Sequence, residues 1–472
     1  IKRGTDIHLI EVKAKSWDAD SAFVGKRGDL SAGWRPYLLD VAFQKHVLQN
    51  ALPGHRIRAS LGLCNKDHVA RTDGLYAQAR IERVDGRAHV TWQDDAAYED
   101  GLLTAVNVDR EINRLWAETY SIGEREFTFD DYLTELARLY REDERAVHPI
   151  SRACADCQFR TPTADHPSGR SGFHECWHLA TGLSPQAVDQ PTVLDVWRLH
   201  HSKKTKALND DVFLMKNIPE DLFKVKSDKG PDALSSSQRQ EVQIRAARDG
   251  STELYVERDG LRAAMEQVSF PLHMIDFETT APALPHYAGF RPYQTVAFQF
   301  SHHVIEADGS VRHATQWLQP DLSRAPNIHF VRALRDAVGD TGSVFRYHNH
   351  ENTVLRGIRR ELVASTEPDR DALIAWIDSI TRDSETKLEG ERAMIDLQEW
   401  VVRYYFDPLT GGSNSLKAIL PSIVRRSRRV QDLYARPVYG SASLPSLNFD
   451  QHQWIEHTGD TWTDPYKTLP PI

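Results

Sequence analysis

The stretch Met274-Ile-Asp-Phe-Glu-Thr-Thr280 constrains this chain more than any other. A β-strand turns successive side chains to opposite faces, so Asp276 and Glu278 share one face and Ile275 and Phe277 the other. The apolar pair belongs in a core. The two carboxylates repel each other unless something positive lies between them. Oxygen donors of this kind suit a hard divalent cation, magnesium or manganese. Acids gathered around two such ions can hold a phosphate for attack. The plainer alternative is an edge strand with two solvated acids.

At 472 residues the chain has room for two or three domains. Its 40% hydrophobic and 26% charged residues are those of a globular protein. No run approaches the roughly 18 apolar residues of a membrane helix, and no secretory signal is visible, so a cytoplasmic location without a membrane partner is expected. The chain opens Ile1-Lys-Arg-Gly without a methionine and closes Leu-Pro-Pro-Ile472, and truncation is expected at both ends. A net charge of −9 excludes a uniformly basic nucleic-acid-binding surface. Contacts to nucleic acid would come from local patches: Arg425, Arg426, Arg428 and Arg429; Lys203, Lys204 and Lys206; or Arg356, Arg359 and Arg360. Each patch is equally readable as a solvated helix face.

Periodicity predicts strands at 8–13, 55–63, 74–83 and 87–92, a helix over 37–48, and a helix over 129–140 capped by Asp130 and Asp131. Residues 181–265 read as a polar helical connector with a break at 226–231. A second α/β unit begins near 270, with strands at 271–277, 293–303, 311–318 and 343–347. Its helices are expected at 326–338, 350–362, 370–380, 391–404 and 415–424.

In Leu9-Ile-Glu-Val-Lys13, period two again sets an acid and a lysine, Glu11 and Lys13, on one strand face. A carboxylate there can hold a metal while the ammonium steadies a developing negative charge. The alternative is a surface ion pair. A helix carrying Gln44 follows, in Asp40-Val-Ala-Phe-Gln44. This order resembles the RecB-like branch of the PD-(D/E)XK nucleases, which includes CRISPR-associated RecB-like nucleases and the AddB helicase-nuclease subunit. The resemblance implies that Glu11 binds the metal, Lys13 is catalytic and Gln44 borders the site. The family's upstream aspartate is then expected before Ile1, because Asp6 reads as part of a hairpin turn. The family's usual tyrosine four residues after the glutamine is replaced here by Leu48.

Of the four cysteines, Cys64 stands alone in an apolar stretch and reads as a buried strand residue. Cys154 and Cys157 form a CxxC pair, and Cys176 follows after eighteen residues, which is a metal or cluster signal. Similarity to RecB-like nucleases implies a [4Fe–4S] cluster on these three, with a fourth cysteine before Ile1. Zinc is the rival, with His166, His174 or His178 as fourth ligand.

The Ile-Asp-Phe-Glu-Thr pattern resembles the first motif of DnaQ-like (DEDD) 3′–5′ exonucleases. There both acids bind metal, and later motifs complete the site. Ser343 to Leu355 has the form of the second motif, with Glu351 where the family has Asp. Asp396 resembles the acid on the next helix, as a further metal ligand, a group behind the ligands or a helix N-terminal charge. The third motif, a Tyr or His followed by three residues and then an Asp, has no clean counterpart. Tyr404 to Asp407 and His457 to Asp460 have the wrong spacing. Gly412 to Lys417 resembles the helix start after the second motif, where Lys417 or backbone amides could meet a phosphate, although an ordinary helix cap reads the same way.

The order of parts resembles an uncharacterised bacterial family that fuses a RecB-like nuclease, a cysteine segment and a DnaQ-like domain. The expected fold class is therefore α/β. A RecB-like restriction-endonuclease-type domain is expected over 1–180, the helical connector over 181–265 and an RNase H-like (DnaQ-type) exonuclease domain over 266–472. The implied function is metal-dependent hydrolysis of DNA, with RNA as a second substrate, in bacterial DNA repair or antiviral defence alongside partner proteins. The competing expectation is a degenerate nucleic-acid-binding or scaffold subunit with a structural zinc.

Overall fold

The computed structural model describes residues 1–472 except 94–98, 162–169, 223–224, 227–231, 322, 460 and 469–472. His166, Asp460 and the end of the chain thus lie outside the described residues, as does most of the expected break at 226–231. The chain is mixed α/β and divides into two compact units. The first comprises 1–146, 279–297 and 320–326, and the second comprises 147–278, 298–319 and 327–472.

The first unit opens with a hairpin of β1 (Lys2–Arg3) and β2 (Asp6–Trp17). Arg3 pairs with Asp6 across a two-residue turn whose Gly4 has φ +61°, a conformation that tight hairpin turns require. Helix α1 (Arg35–Ala51) then carries the chain to β3 (Arg56–Asn65), which pairs parallel with β2 and sets Glu11 opposite Leu61. β4 (Ala79–Val84) and β5 (Arg87–Trp92) form an exposed hairpin. β6 (Leu103–Asn107) closes the sheet in the order β1-β2-β3-β6. Helix α2 (Asp109–Trp116), the short hairpin β7 (Tyr120–Ile122) and β8 (Arg125–Phe127), and helix α3 (Phe129–Arg141) complete the unit. Leu38, Val41 and Ala42 of α1 meet Leu61, Leu63 and Ile112 in its core.

Three expectations need correction here. The run 74–83 is not all strand: Gly74, at φ +74°, turns the chain into a 3₁₀ turn over Leu75–Gln78 anchored by buried Leu75. The cap of α3 is the Thr128 hydroxyl, which accepts from the Asp131 amide, while Asp130 and Asp131 lie in the first turn. β6 and α2 are additional. β6 is only five residues long and α2 only eight, with an acidic start, so each offers little periodic signal.

The second unit starts with short helical segments. These are α4 (Gly172–Thr181), α5 (Pro185–Val188), α6 (His201–Asn209) and α7 (Ser236–Asp249), which pack around Phe173, Trp177, Leu194 and Met215. After β9 (Tyr255–Val256) and α8 (Arg258–Glu266) comes a five-stranded sheet. Its strands are β10 (Leu272–Thr280), β11 (Val296–Ile305), β12 (Val311–Leu318), β13 (Ser343–Arg346) and, after two-residue strands β14 (Arg382–Asp383) and β15 (Leu388–Glu389), β16 (Ile395–Asp396). The sheet order is β12-β11-β10-β13-β16. β11 and β12 are antiparallel, while β10, β13 and β16 run parallel. Parallel strands need crossovers, and helices α9 (Asn327–Val338), α10 (His350–Ala364) and α11 (Arg370–Ile380) supply them. Then come α12 (Leu397–Tyr404), β17 (Tyr405–Phe406), α13 (Leu416–Arg426), α14 (Arg428–Tyr434) and a last hairpin of β18 (His457–Thr458) and β19 (Thr461–Trp462). The helix expected from 391 begins only at Leu397, because Ile395 and Asp396 pair with β13. Among the described residues no helix is long and apolar enough to cross a membrane.

Candidate functional site

Strand β10 places its acids as its alternation dictates. Ile275 and Phe277 are buried, and Phe277 meets Phe330 of α9 edge to face at 4.8 Å. Asp276 and Glu278 lie on the opposite face and line a cleft of about 930 Å³. Glu351, in the first turn of α10, lines the same cleft. The turn before it is pinned. Arg346 on β13 donates to the His348 carbonyl and to Asn349 Oδ1, and Asp396 Oδ1 accepts from the His348 amide at 2.9 Å. His348 sits at φ +70°, a conformation that costs a non-glycine residue energy and persists only under such constraint. The outcome is a carboxyl driven inward: Glu351 is 4% exposed, and its Oε2 is buried without a hydrogen-bond partner.

Burial raises the Glu351 carboxyl to about 7, and nearby Asp276 adds to the shift. Burial also raises Asp276, against an opposing pull from His350. Acids so placed favour either protons or a cation. All three are hard oxygen donors, and the orphaned Oε2 is a vacant acceptor, so this set fits magnesium or manganese by chemistry. Among the described residues no group of three or more His, Cys, Asp or Glu side chains is set to hold a metal as the side chains stand. Asp396 has a different position. Its carboxylate caps α12 through the Gln398 amide, holds the His348 amide and faces Arg346 at 3.4 Å, so it acts behind the cleft lining.

In the first unit, Glu11, Lys13 and Gln44 come together as the strand-then-helix order requires. Lys13 Nζ lies 2.7 Å from Glu11 and 2.6 Å from Asp40. Gln44 Nε2 donates to the same two acids, at 2.9 and 3.0 Å. The hydrogen bonds from Lys13 and Gln44 hold both acids below their usual carboxylate range, and those acids raise Lys13. Asp40 is the member that sequence reasoning missed. Its signal was present, since Asp40 and Gln44 are four apart on a helix and therefore neighbours on one face. The ammonium of Lys13 occupies the point between the acids where a cation would be most stabilised.

Cys154, Cys157 and Cys176 are all unbridged thiols. Cys154 and Cys157 are half-buried against the Trp177 core, and Cys176 on α4 is exposed. Cys154 Sγ accepts from the Ser151 amide at 3.4 Å. Three thiols suit iron–sulfur or zinc by donor chemistry alone. Of the two described candidate histidines, His174 bonds Asp189 through Nε2 and leaves a buried Nδ1 without a partner, whereas His178 bonds the Leu183 carbonyl. Cys64 is buried on β3, as its apolar setting predicts.

The basic patches divide. Lys417 lines the cleft, in the first turn of α13. Arg425, Arg428 and Arg429 are exposed, but Arg426 grips Asp407, whose side chain is fully buried. Lys204 donates to the Leu194 carbonyl, Lys206 pairs with Asp210, and Arg356 and Arg359 both hold Asp378. The cleft also recruits residues that no motif signalled: Trp197, Arg198 and Tyr466. They come from segments separated by more than two hundred positions, which no local pattern can join. No curated protein and no solved structure matches the chain. Residues 273–415, which include Asp276, Glu278, Glu351 and Asp396, match the family described as Domain of unknown function (DUF2779).

Proposed function

We propose that this protein is a metal-dependent nuclease that hydrolyses phosphodiester bonds of DNA, with RNA as the second candidate, at the cleft of its second unit. The observation that carries the reading is the unpartnered, buried Oε2 of Glu351 beside Asp276 and Glu278. An acceptor left bare in a protein interior is costly unless a proton or a cation meets it. Support also comes from the sheet. It has an antiparallel pair on one side, parallel strands on the other and the paired acids on the central strand, as the RNase H-like, DnaQ-type expectation calls for. Magnesium or manganese, when bound, would supply Lewis-acid stabilisation of charge developing on the phosphate. The chain's own part is to set Asp276 and Glu278 on one face of β10 and to pin the turn before Glu351 through the Arg346–Asp396 brace.

The cluster of Glu11, Lys13, Asp40 and Gln44 supports a second, RecB-like centre, because Gln44 bonds the acid it is expected to border. There Lys13 would steady negative charge on an attacking or leaving oxygen. The cysteines would hold a [4Fe–4S] cluster, with zinc as the alternative, and the setting would be repair or defence with partner proteins. The test is a nuclease assay of the full chain with manganese, comparing Asp276→Ala, Glu11→Ala and the double variant. Loss of cleavage in either single variant places activity at that centre. Cleavage that persists in the double variant removes the nuclease reading and leaves a nucleic-acid-binding scaffold.

A further inference from the structure

Another part of the same cleft lining has the opposite character. Ser413, Asn414, Ser415 and Lys417, at the start of α13, form it. The helix has eleven residues, and its N-cap, Ser415, makes no side-chain capping bond. The first amides of a helix have no intrahelical acceptor and carry partial positive charge. No acidic residue occupies the first turn to neutralise them. Lys417 is exposed and makes no ion pair among the described residues. Arg198, another residue of the lining, lays its guanidinium over the Trp197 ring at 5.0 Å.

Asn414 supplies the independent observation. It is 6% exposed and held on three sides. Its backbone carbonyl accepts from the Tyr347 hydroxyl at 2.6 Å and from Gln398 at 3.4 Å, and its side-chain oxygen accepts from buried Arg239. Because the oxygen is taken by a guanidinium, the amide orientation is determined, and Nδ2 is the atom left over. That Nδ2 is buried and has no acceptor. A fixed donor without a partner in a cleft wall calls for a ligand oxygen. The residues that line the cleft therefore include both an unmet donor and an unmet carboxylate acceptor.

We infer that Ser413 to Lys417, with the Asn414 side-chain amide at its centre, form a phosphate-binding subsite for the nucleotide at the end of a strand. A phosphate oxygen accepts from Nδ2, from the first α13 amides and from the seryl hydroxyls, and Lys417 neutralises its charge. The nucleoside attached to that phosphate lies in the remaining cleft, and the ligand class is a nucleoside monophosphate. This subsite rests on the nuclease reading for its purpose but not for its existence.

The experiment is calorimetric titration of the full chain with thymidine 5′-monophosphate and with inorganic phosphate, in chelator and again with magnesium. Lys417→Glu, a surface change, and Asn414→Asp, which keeps the oxygen facing Arg239 but removes the orphan donor, are each expected to weaken nucleotide binding about tenfold, the effect of one charge-assisted contact. Lys417→Arg is expected to retain most of the affinity. Binding in chelator is expected to survive Asp276→Asn, which separates this subsite from the metal reading. Equal nucleotide affinity in the parent, Lys417→Glu and Asn414→Asp chains overturns the subsite even if manganese-dependent cleavage is present. Binding that depends on Lys417 supports the subsite even if no chain cleaves. Equal affinity for inorganic phosphate and the nucleotide overturns the assignment of a nucleotide as ligand.

Discussion

Glu351 is the residue with the most exposed consequences. Because burial raises its carboxyl from 4.5 to about 7, the native chain keeps a proton that the unfolded chain releases first. The stability tied to this proton is complete below pH 4.5 and is lost as pH rises through about 7, an effect of up to about 3 kcal/mol. In chelator, Glu351→Gln should therefore gain in melting temperature over the parent as pH rises from about 5 to 8, and manganese should close that gap. A gap insensitive to both pH and manganese in differential scanning fluorimetry would refute the role given to Oε2. At Arg426 the expectation is structural. Removing it strands Asp407, whose side chain is fully buried, so Arg426→Ala should cost about 3 kcal/mol in urea unfolding. Adding Asp407→Asn to the same chain should recover much of that loss.

Among the elements, strands β10, β11 and β12 carry a chain of buried imidazoles. His273 Nε2 bonds the Thr341 carbonyl, so it donates, and its Nδ1 must accept from His302 Nε2 at 2.9 Å in the neutral pair. His302 Nδ1 then accepts from the Thr315 hydroxyl. On the same strands His303 bonds the Tyr439 hydroxyl and stacks on His313 at 4.4 Å. Burial lowers His302 and His303 from 6.5 to about 4. Their contribution is present above pH 6.5 and lost as pH falls through about 4. Acid unfolding followed by tryptophan fluorescence should show its midpoint moved to lower pH in His302→Gln, and an unmoved midpoint would count against the neutral chain. The central strands were legible because alternation is a local property: β10, β11 and β12 fall within a few residues of expectation. The start of α12 was not, because it depends on Ile395 pairing with Phe345 fifty positions away.

At the scale of the whole molecule, the prediction concerns the cofactor proposed for the cysteines. The full chain, purified without oxygen, is expected to contain iron and inorganic sulfide and to be brown, and Cys157→Ser is expected to lose both iron and colour. A colourless chain containing zinc would assign the segment to the rival reading. Cys154 and Cys157 pack on the same core as α4 and α7, so loss of the bound metal should also lower the melting temperature.

The sequence by itself determined the chemistry on offer: paired acids on one face of β10, an acid and a lysine on one face of β2, and three clustered cysteines. Each follows from a period of two or from close spacing, and such order survives without knowledge of the fold. Tertiary structure alone decided what those groups meet. It brought Asp40 to Lys13, turned Asp396 into a brace and committed Arg426 to a buried carboxylate. It also set an unpaired Asn414 Nδ2 in the lining of the same cleft as an unpaired Glu351 oxygen. Burial and orphaned hydrogen bonds belong to the packed interior, because they depend on which distant segments exclude water from each group.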